Sequence, residues 1–161
     1  MPSHLDSPSD SSILAAPLLT DALAIHARER GTRPAFTFLR DGEEPDGTLD
    51  WAEVHRQSQR IATLLAERGL AGERAVLVVP QGREFMFAFF GCLLAGVVAV
   101  PLMPPTTRRQ LERVRLVGAD CGARAVLSLP GTAALAGDLV SGGDGVAQVD
   151  ISADSGRSAL P

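Results

Sequence analysis

The chain contains no lysine: its 161 residues include fifteen positively charged side chains, and every one is an arginine. Without a lysine amine, the chain can form no Schiff base and lacks the lysine that grips phosphate in a phosphate-binding loop. Cysteine is scarce too, with Cys92 and Cys121 far apart in the sequence. Because neither has a CxxC partner, this argues against a disulfide framework and a paired-cysteine metal site, and it predicts a reducing, cytoplasmic compartment.

Other absences narrow the class of partner. The net charge is -4, and no basic stretch carries interleaved aromatic residues, which argues against a nucleic-acid surface. The polar opening, MPSHLDSPSDSS, lacks the apolar core of a secretory signal. With 45% hydrophobic and 21% charged residues, the composition is that of an ordinary soluble domain.

Two short β-branched runs stand at the centre of the sequence. We predict strands over residues 75–79 and 97–100, stopped by Pro80 and Pro101 because proline cannot donate to a sheet ladder. Because a helical segment separates them, the two strands predict a parallel β-α-β crossover in an α/β sheet.

The helical segment, residues 85–95, is apolar on every side, which predicts a helix buried all round and ended by Gly96. Since residues 85–105 carry no charge, a single membrane span is an alternative. The helical part, residues 82–95, would be about 21 Å long, whereas a bilayer core is roughly 30 Å thick. The length therefore favours a buried crossover helix.

The amino-terminal part predicts a disordered leader over residues 1–16, rich in Ser, Asp and Pro. Thr20 would cap a helix that ends at Arg30. His26 lies on this helix, but no oriented partner marks it as a catalytic base, so we interpret it as a structural histidine.

A β-hairpin follows, with one strand over residues 35–39, an acidic loop over residues 40–47 and a return at Thr48 and Leu49. The loop carboxylates lack the full oxygen set of a calcium loop, so we interpret them as a solvated tip. They are Asp41, Glu43, Glu44 and Asp46.

Asp50 and Glu53 have the spacing of a capping box, which predicts a helix that Gly69 closes. His55 would lie at the boundary of its apolar stripe. The predicted inner stripe is Val54, Ser58, Ile61 and Leu65, and the predicted outer face is Arg56, Gln57, Gln59, Arg60, Glu67 and Arg68.

Thr106 and Thr107 can cap a further helix over residues 108–119. Four arginines would give it a cationic face, which could meet a phosphate or an acidic partner or could simply be solvated. These are Arg108, Arg109, Arg113 and Arg115.

The remaining sequence predicts strands over residues 125–128 and 146–151 and a short helix over residues 132–140. The glycine loop at residues 141–145 lacks the GK[ST] ending and the preceding strand of a phosphate loop. Residues 152–161 are polar and predict a loose tail.

Two segments together resemble the adenylate-forming superfamily. Residues 49–54, LDWAEV, are similar to its first core motif, L-T/S-Y-x-E-L, and residues 93–102, LLAGVVAVPL, to its second, L-K-A-G-x-A-Y-V-P-L. Leu94 replaces the lysine of the second motif. Three local features resemble the fatty acyl-AMP ligases in particular: residues 33–39 with the acidic loop, residues 89–93, and Pro104-Pro105 before the arginine-rich helix.

The resemblance implies the N-terminal portion of an enzyme that uses ATP and Mg²⁺ to convert a fatty acid into an acyl-adenylate, then passes the acyl group to an acyl-carrier protein or CoA. Residues 17–151 would form an incomplete subdomain. The family's phosphate loop and catalytic lysine have no counterpart here, so the expected catalytic, cofactor-binding and metal residues are none. The expected partner is the remaining portion of the ligase or a companion chain; a non-catalytic docking module is an alternative.

Overall fold

The computed structural model describes residues 18–133 and 145–152. The predicted leader, the tail from residue 153, most of the helix predicted over residues 132–140 and most of the glycine loop lie outside the described residues. The chain divides into two compact units, Met1–Arg56 and Gln57–Pro161, which are described separately below.

The first unit contains helix α1, an antiparallel hairpin and the start of helix α2. The prediction that the return strand begins at Thr48 is wrong: it begins at Glu44, which pairs with Arg40. Asp41 and Gly42 make the turn with φ of 51° and 81°, so an Asp-Gly pair closes a three-residue loop. The elements are α1 (Leu19–Arg30), β1 (Pro34–Arg40), β2 (Glu44–Asp50) and α2 (Trp51–Glu67).

Helix α1 begins without the predicted cap. Leu18 occupies the N-cap position in an extended conformation and makes no side-chain cap bond, while Thr20 lies inside the first turn. Leu23 is buried on the inner face, whereas Leu19 is 55% exposed. Only the centre of this helix therefore contributes a large side chain to the core.

Helix α2 follows its sequence pattern closely. The backbone N–H of Glu53 donates to Asp50 Oδ1 at 2.7 Å, which confirms the cap, and the four residues of the predicted stripe are all 0% exposed. Gly69 ends the helix with φ of +67°. Gln57 was predicted to point outward, but it is buried, and its side-chain oxygen accepts from Arg60 Nε at 3.2 Å.

The second unit is built on a parallel four-stranded sheet with the strand order β4-β3-β5-β6. Val76 and Val100 are opposite each other in neighbouring strands, so the predicted crossover is confirmed. Together with the hairpin, this sheet gives the predicted α/β fold. The elements are β3 (Arg74–Val78), α3 (Arg83–Leu94), β4 (Val98–Leu102), α4 (Arg108–Asp120), β5 (Ala125–Ser128), a 3-10 turn (Pro130–Thr132) and β6 (Ala147–Asp150).

Strand β4 continues through Pro101, contrary to prediction. The N–H of Val98 donates to Glu73 O at 2.8 Å, toward β3. Because backbone groups alternate in direction along a strand, Ala99 and Pro101 turn their backbone groups to the outer edge of the sheet. The missing N–H of Pro101 therefore removes no ladder bond, as expected for proline on an edge strand.

Helix α3 ends as predicted, with Gly96 at φ of +67°. The expectation of burial all round is wrong within the described residues, because Phe85, Met86 and Phe89 are only partly buried. No helix in residues 18–133 and 145–152 is both long enough and apolar enough to cross a membrane. The buried side of α3 comprises Phe87, Ala88, Phe90, Gly91 and Cys92.

Candidate functional site

Two buried polar side chains, Ser128 at the carboxyl end of β5 and Thr132 in the following 3-10 turn, lie at the edge of a parallel sheet where α/β proteins bind ligands. The Thr132 hydroxyl donates to Val78 O at 3.0 Å, and it accepts the backbone N–H of Leu129 at 3.1 Å. Both donor and acceptor capacities of this hydroxyl are thus used inside the protein. The 3-10 turn is thereby fixed to the end of β3.

Gln148, on β6, completes this carboxyl-edge cluster, which we define as Ser128, Thr132 and Gln148. Its Nε2 donates to Ala133 O at 3.0 Å and lies 3.5 Å from Ser128 Oγ. None of the three side chains titrates near neutral pH, and the Thr132 hydroxyl and the Gln148 amide nitrogen bond to neighbouring backbone groups. The cluster can hold three segments together but offers no acid, base or activated nucleophile.

Helix α4 starts with a capping box in which Thr107 and Gln110 satisfy each other's backbone N–H groups, so the predicted cap is confirmed. Arg108, Arg109 and Arg113 are exposed, as expected for the predicted cationic face. Arg115 differs, because it is partly buried and lies 3.0 Å from Glu112 Oε1. The exposed charge is therefore concentrated in the first half of the helix.

An apolar groove of about 420 Å³ runs between α4 and the sheet. Val126 and Val146 form part of its floor, and Leu116 is 71% exposed at its border. Glu112 and Arg115 supply its charged border. Its lining is dominated by aliphatic side chains and small residues, so it suits an apolar occupant.

The histidines that the structure describes have no catalytic arrangement. The ring of His26 stacks on Trp51 with centroids 4.0 Å apart and planes 9° apart, and Phe36 contacts the same indole at 5.9 Å. This is aromatic packing in the first unit. His55 is partly buried on α2, in agreement with the predicted boundary position.

Cys92 is 0% exposed on α3, and desolvation by burial raises the pKa of its thiol to about 12. A thiol with so high a pKa carries almost no thiolate at neutral pH and is neither a nucleophile nor a metal ligand. Cys92 therefore acts as a small apolar side chain of the core.

The residues present do not fit an ATP–Mg²⁺ site. In the described part of the chain, no group of three or more His, Cys, Asp or Glu side chains could hold a metal ion. The whole sequence lacks lysine. In the carboxyl-edge cluster, the Thr132 hydroxyl and the Gln148 amide nitrogen already donate to backbone carbonyls. No step through ATP or Mg²⁺ is therefore assigned to the residues that the structure describes.

The profile of the AMP-binding enzyme family matches residues 23–158. The chain belongs to this family. Both motifs that carried the resemblance lie in framework elements: residues 49–54 join β2 to α2, and residues 93–102 join α3 to β4. The two motifs therefore position the core.

Two curated relatives are fatty acid ligases. The chain is 37% identical over 113 residues to the medium-chain fatty acid–acyl-carrier-protein ligase JamA of Moorena producens. The matched segment covers 68% of this chain and 19% of JamA. It is also 38% identical over 109 residues to the long-chain fatty acid–AMP ligase FadD23 of Mycobacterium tuberculosis. That match covers 66% of this chain and 18% of FadD23.

Among solved structures, the fatty acid AMP ligase of Legionella pneumophila matches with a TM-score of 0.69 and 26% identity, over 74% of this chain and 21% of that one. The chain thus spans about a fifth of the length of these ligases, and the predicted likeness to the N-terminal portion of fatty acyl-AMP ligases is confirmed.

Sequence reasoning missed the carboxyl-edge cluster. Ser128 was assigned only to a buried strand, Thr132 only to a helix start, and Gln148 was not singled out. The available signal was a polar residue ending an apolar strand, Ser128 after Ala125, Val126 and Leu127. That signal marks a sheet edge but does not say which partners meet there.

Proposed function

We propose that this chain is the structural N-terminal portion of a fatty acyl-AMP ligase, which uses ATP and Mg²⁺ to convert a fatty acid into an acyl-adenylate. The acyl group then passes to an acyl-carrier protein, in preference to CoA. Residues 17–151 form an incomplete AMP-binding subdomain that is not catalytic alone. It works with the remaining portion of the ligase or a companion chain, in the cytoplasm.

One observation carries this proposal: family membership combined with the lack, among residues 18–133 and 145–152, of a group that fits the chemistry. The family match covers residues 23–158, yet the relatives are about five times longer than the segment they share with this chain. The name of the Moorena relative supports a carrier protein as acceptor. The carboxyl-edge cluster and the two family motifs support a scaffold role.

The test is fatty-acid-dependent exchange of pyrophosphate into ATP. We expect no exchange by the purified 161-residue chain. Exchange should appear when the chain is mixed with a companion that carries the remaining portion of a ligase, such as the Moorena relative without its matching segment. Exchange by the chain alone would contradict the proposal.

A second candidate, a docking module for an acidic carrier protein, is favoured by the position of Arg108 and Arg109. Both lie in the first turn of α4, which contains no acidic residue. The positive end of the helix dipole disfavours cations there by about 0.3–1 kcal/mol each. Two arginines held at an electrostatically unfavourable helix end are typical of a surface that binds a partner.

Charge reversal tests this candidate without weakening the helix. Arg108→Glu with Arg109→Glu should reduce binding of an acyl-carrier protein at low salt, because attraction to an acidic surface is lost. The substitutions suit the helix N-terminus, so thermal unfolding should be unchanged or improved. Arg124→Glu, an exposed arginine outside α4, is the control. Binding that no reversal affects would remove the docking candidate.

A further inference from the structure

The two edges of the parallel sheet differ in what they offer to an additional strand. Strand β4 forms one edge and β6 the other, and no further strand of the described residues pairs with either. On β4, the outward positions are Ala99 and Pro101. Because proline has no N–H, this edge presents a single outward donor, and it is therefore a poor template for an additional strand.

Strand β6 presents a complete edge. The N–H groups of Ala147 and Ile151 donate to Arg124 O at 2.9 Å and to Ser128 O at 3.0 Å, so these positions turn toward β5. By alternation, Gln148 and Asp150 direct their N–H and C=O groups away from the sheet. Both residues are exposed. This edge therefore has two donors and two acceptors arranged as a template.

The apolar groove extends to the edge of the sheet that β6 forms. Val146, which lines the groove, directly precedes β6. A strand added beside β6 would continue the sheet, and the polypeptide attached to it could cover the exposed side chain of Leu116. Main-chain bonds and an adjoining apolar surface are the two components of recognition by strand addition.

We propose that the outer edge of β6, with Gln148 and Asp150, is the docking edge for a strand from the remaining portion of the ligase. This inference rests on the proposed function. It commits to that occupant because the chain covers only 19% and 18% of the length of these two relatives, so most of such a ligase lies outside the segment that they share with this chain. The edge of β4, in contrast, is an outer boundary of the sheet.

The experiment uses the full 161-residue chain and, as the probe, the Moorena ligase without its matching segment. Gln148→Pro removes the outward N–H and should weaken the complex about tenfold or more, because a ladder bond is lost and the proline ring blocks close approach. Gln148→Ala loses the same side-chain bond to Ala133 O but keeps the outward backbone donor, so it should bind about tenfold or more tightly than Gln148→Pro. Ala99→Pro, the matched change on the opposite edge, should also leave binding unchanged.

Amide hydrogen exchange supplies a measurement that needs no variant. The N–H groups of Gln148 and Asp150 should exchange fast in the free chain and slowly in the complex, while that of Ala99 stays fast in both.

A complex with restored pyrophosphate exchange that leaves the Gln148 N–H unprotected would overturn the docking edge but leave the proposed function standing. Failure of the unaltered chain to form any complex would overturn the proposed function as well. Protection that grows with the chain's own concentration, without the probe, would assign the edge to a second copy and overturn the inference.

Discussion

Gly91 lies at the closest approach of α3 to α2. A Cβ at this position would lie 2.7 Å from both Cβ and Cγ2 of Ile61 and 3.1 Å from Ser58 O. Ile61 and Ser58 are themselves 0% exposed, so neither can move aside easily. The glycine is therefore required for packing, although its intrinsic preference for the helix is poor.

We predict that Gly91→Ala lowers the free energy of unfolding by about 1–2 kcal/mol, since overpacking outweighs the gain in helix propensity. Gly118→Ala is the matched control within α4, because its Cβ would meet only Val76 Cγ2 at 3.8 Å. That variant should be neutral or more stable by up to about 1 kcal/mol. Urea unfolding measures both, and equal effects would refute the packing argument.

Cys92 gives a prediction about chemical reactivity. Burial raises the pKa of its thiol from 9.0 to about 12, so the native chain holds it protonated. In a Cys121→Ser variant, iodoacetamide at pH 8 should leave the native chain unmodified and should label it once urea unfolds it. Labelling of the native chain at the rate of a free thiol would contradict this.

The same pKa shift makes stability depend on pH. Below pH 9.0 the thiol is neutral in both states and the contribution is complete. Between pH 9.0 and about 12 only the unfolded chain ionises, so the free energy of unfolding should fall, by at most about 1.4 kcal/mol per pH unit. A Cys92→Ala variant should lose this part of the dependence.

Gln57 shows that a helical period does not predict the burial of every residue on the helix. The helical period correctly predicted Val54, Ser58, Ile61 and Leu65 as the inner stripe of α2. It placed Gln57 outside, although the side chain is 6% exposed. The period gives direction around one helix, whereas burial also depends on which distant segments cover the adjacent face.

At the scale of elements, the start of α2 provides a clean test of a local signal. Asp50→Ala removes the acceptor of the 2.7 Å bond from the Glu53 N–H and should cost about 1 kcal/mol of stability. Asp50→Asn keeps an acceptor oxygen and should cost only a few tenths. Chemical unfolding compares the two, and equal losses would show that the cap contributes nothing.

Strand boundaries were less predictable than helix ends. Pro101 was expected to stop β4, but whether proline stops a strand depends on which side its nitrogen faces and on the strand's place in the sheet. Both follow from the order β4-β3-β5-β6, which is long-range information. In the hairpin, the Asp41-Gly42 pair was a local signal, and the acidic composition of residues 40–47 concealed it.

At the scale of the whole molecule, the sequence predicted the α/β fold, the parallel crossover and the family. It could not predict the carboxyl-edge cluster, because Ser128, Thr132 and Gln148 come from three segments that only the folded sheet brings together. The lack of lysine, by contrast, is a property of composition and needed no structure.

The chain by itself should be only marginally stable or prone to aggregate. Phe85 and Phe89 are partly exposed on α3, with ring centroids 6.1 Å apart, and the groove beside α4 presents further apolar surface. A companion that covers such surface binds the folded state alone, so it should raise Tm, and the rise should grow with the logarithm of its concentration above Kd. Calorimetry of the chain with and without the companion measures this; a sharp, reversible transition of the monomer alone would contradict it.

The parallel arrangement of the sheet also sets the order in which the chain acquires structure. Neighbouring strands meet at positions far apart in the sequence, such as 74 with 98, 75 with 125 and 125 with 147, whereas the hairpin joins 40 to 44. Long loops must close before such distant pairings stabilise anything, and contacts of this kind slow folding toward the millisecond-to-second range. On a ribosome, the hairpin can form early, whereas the complete four-stranded sheet cannot form until β6 has emerged.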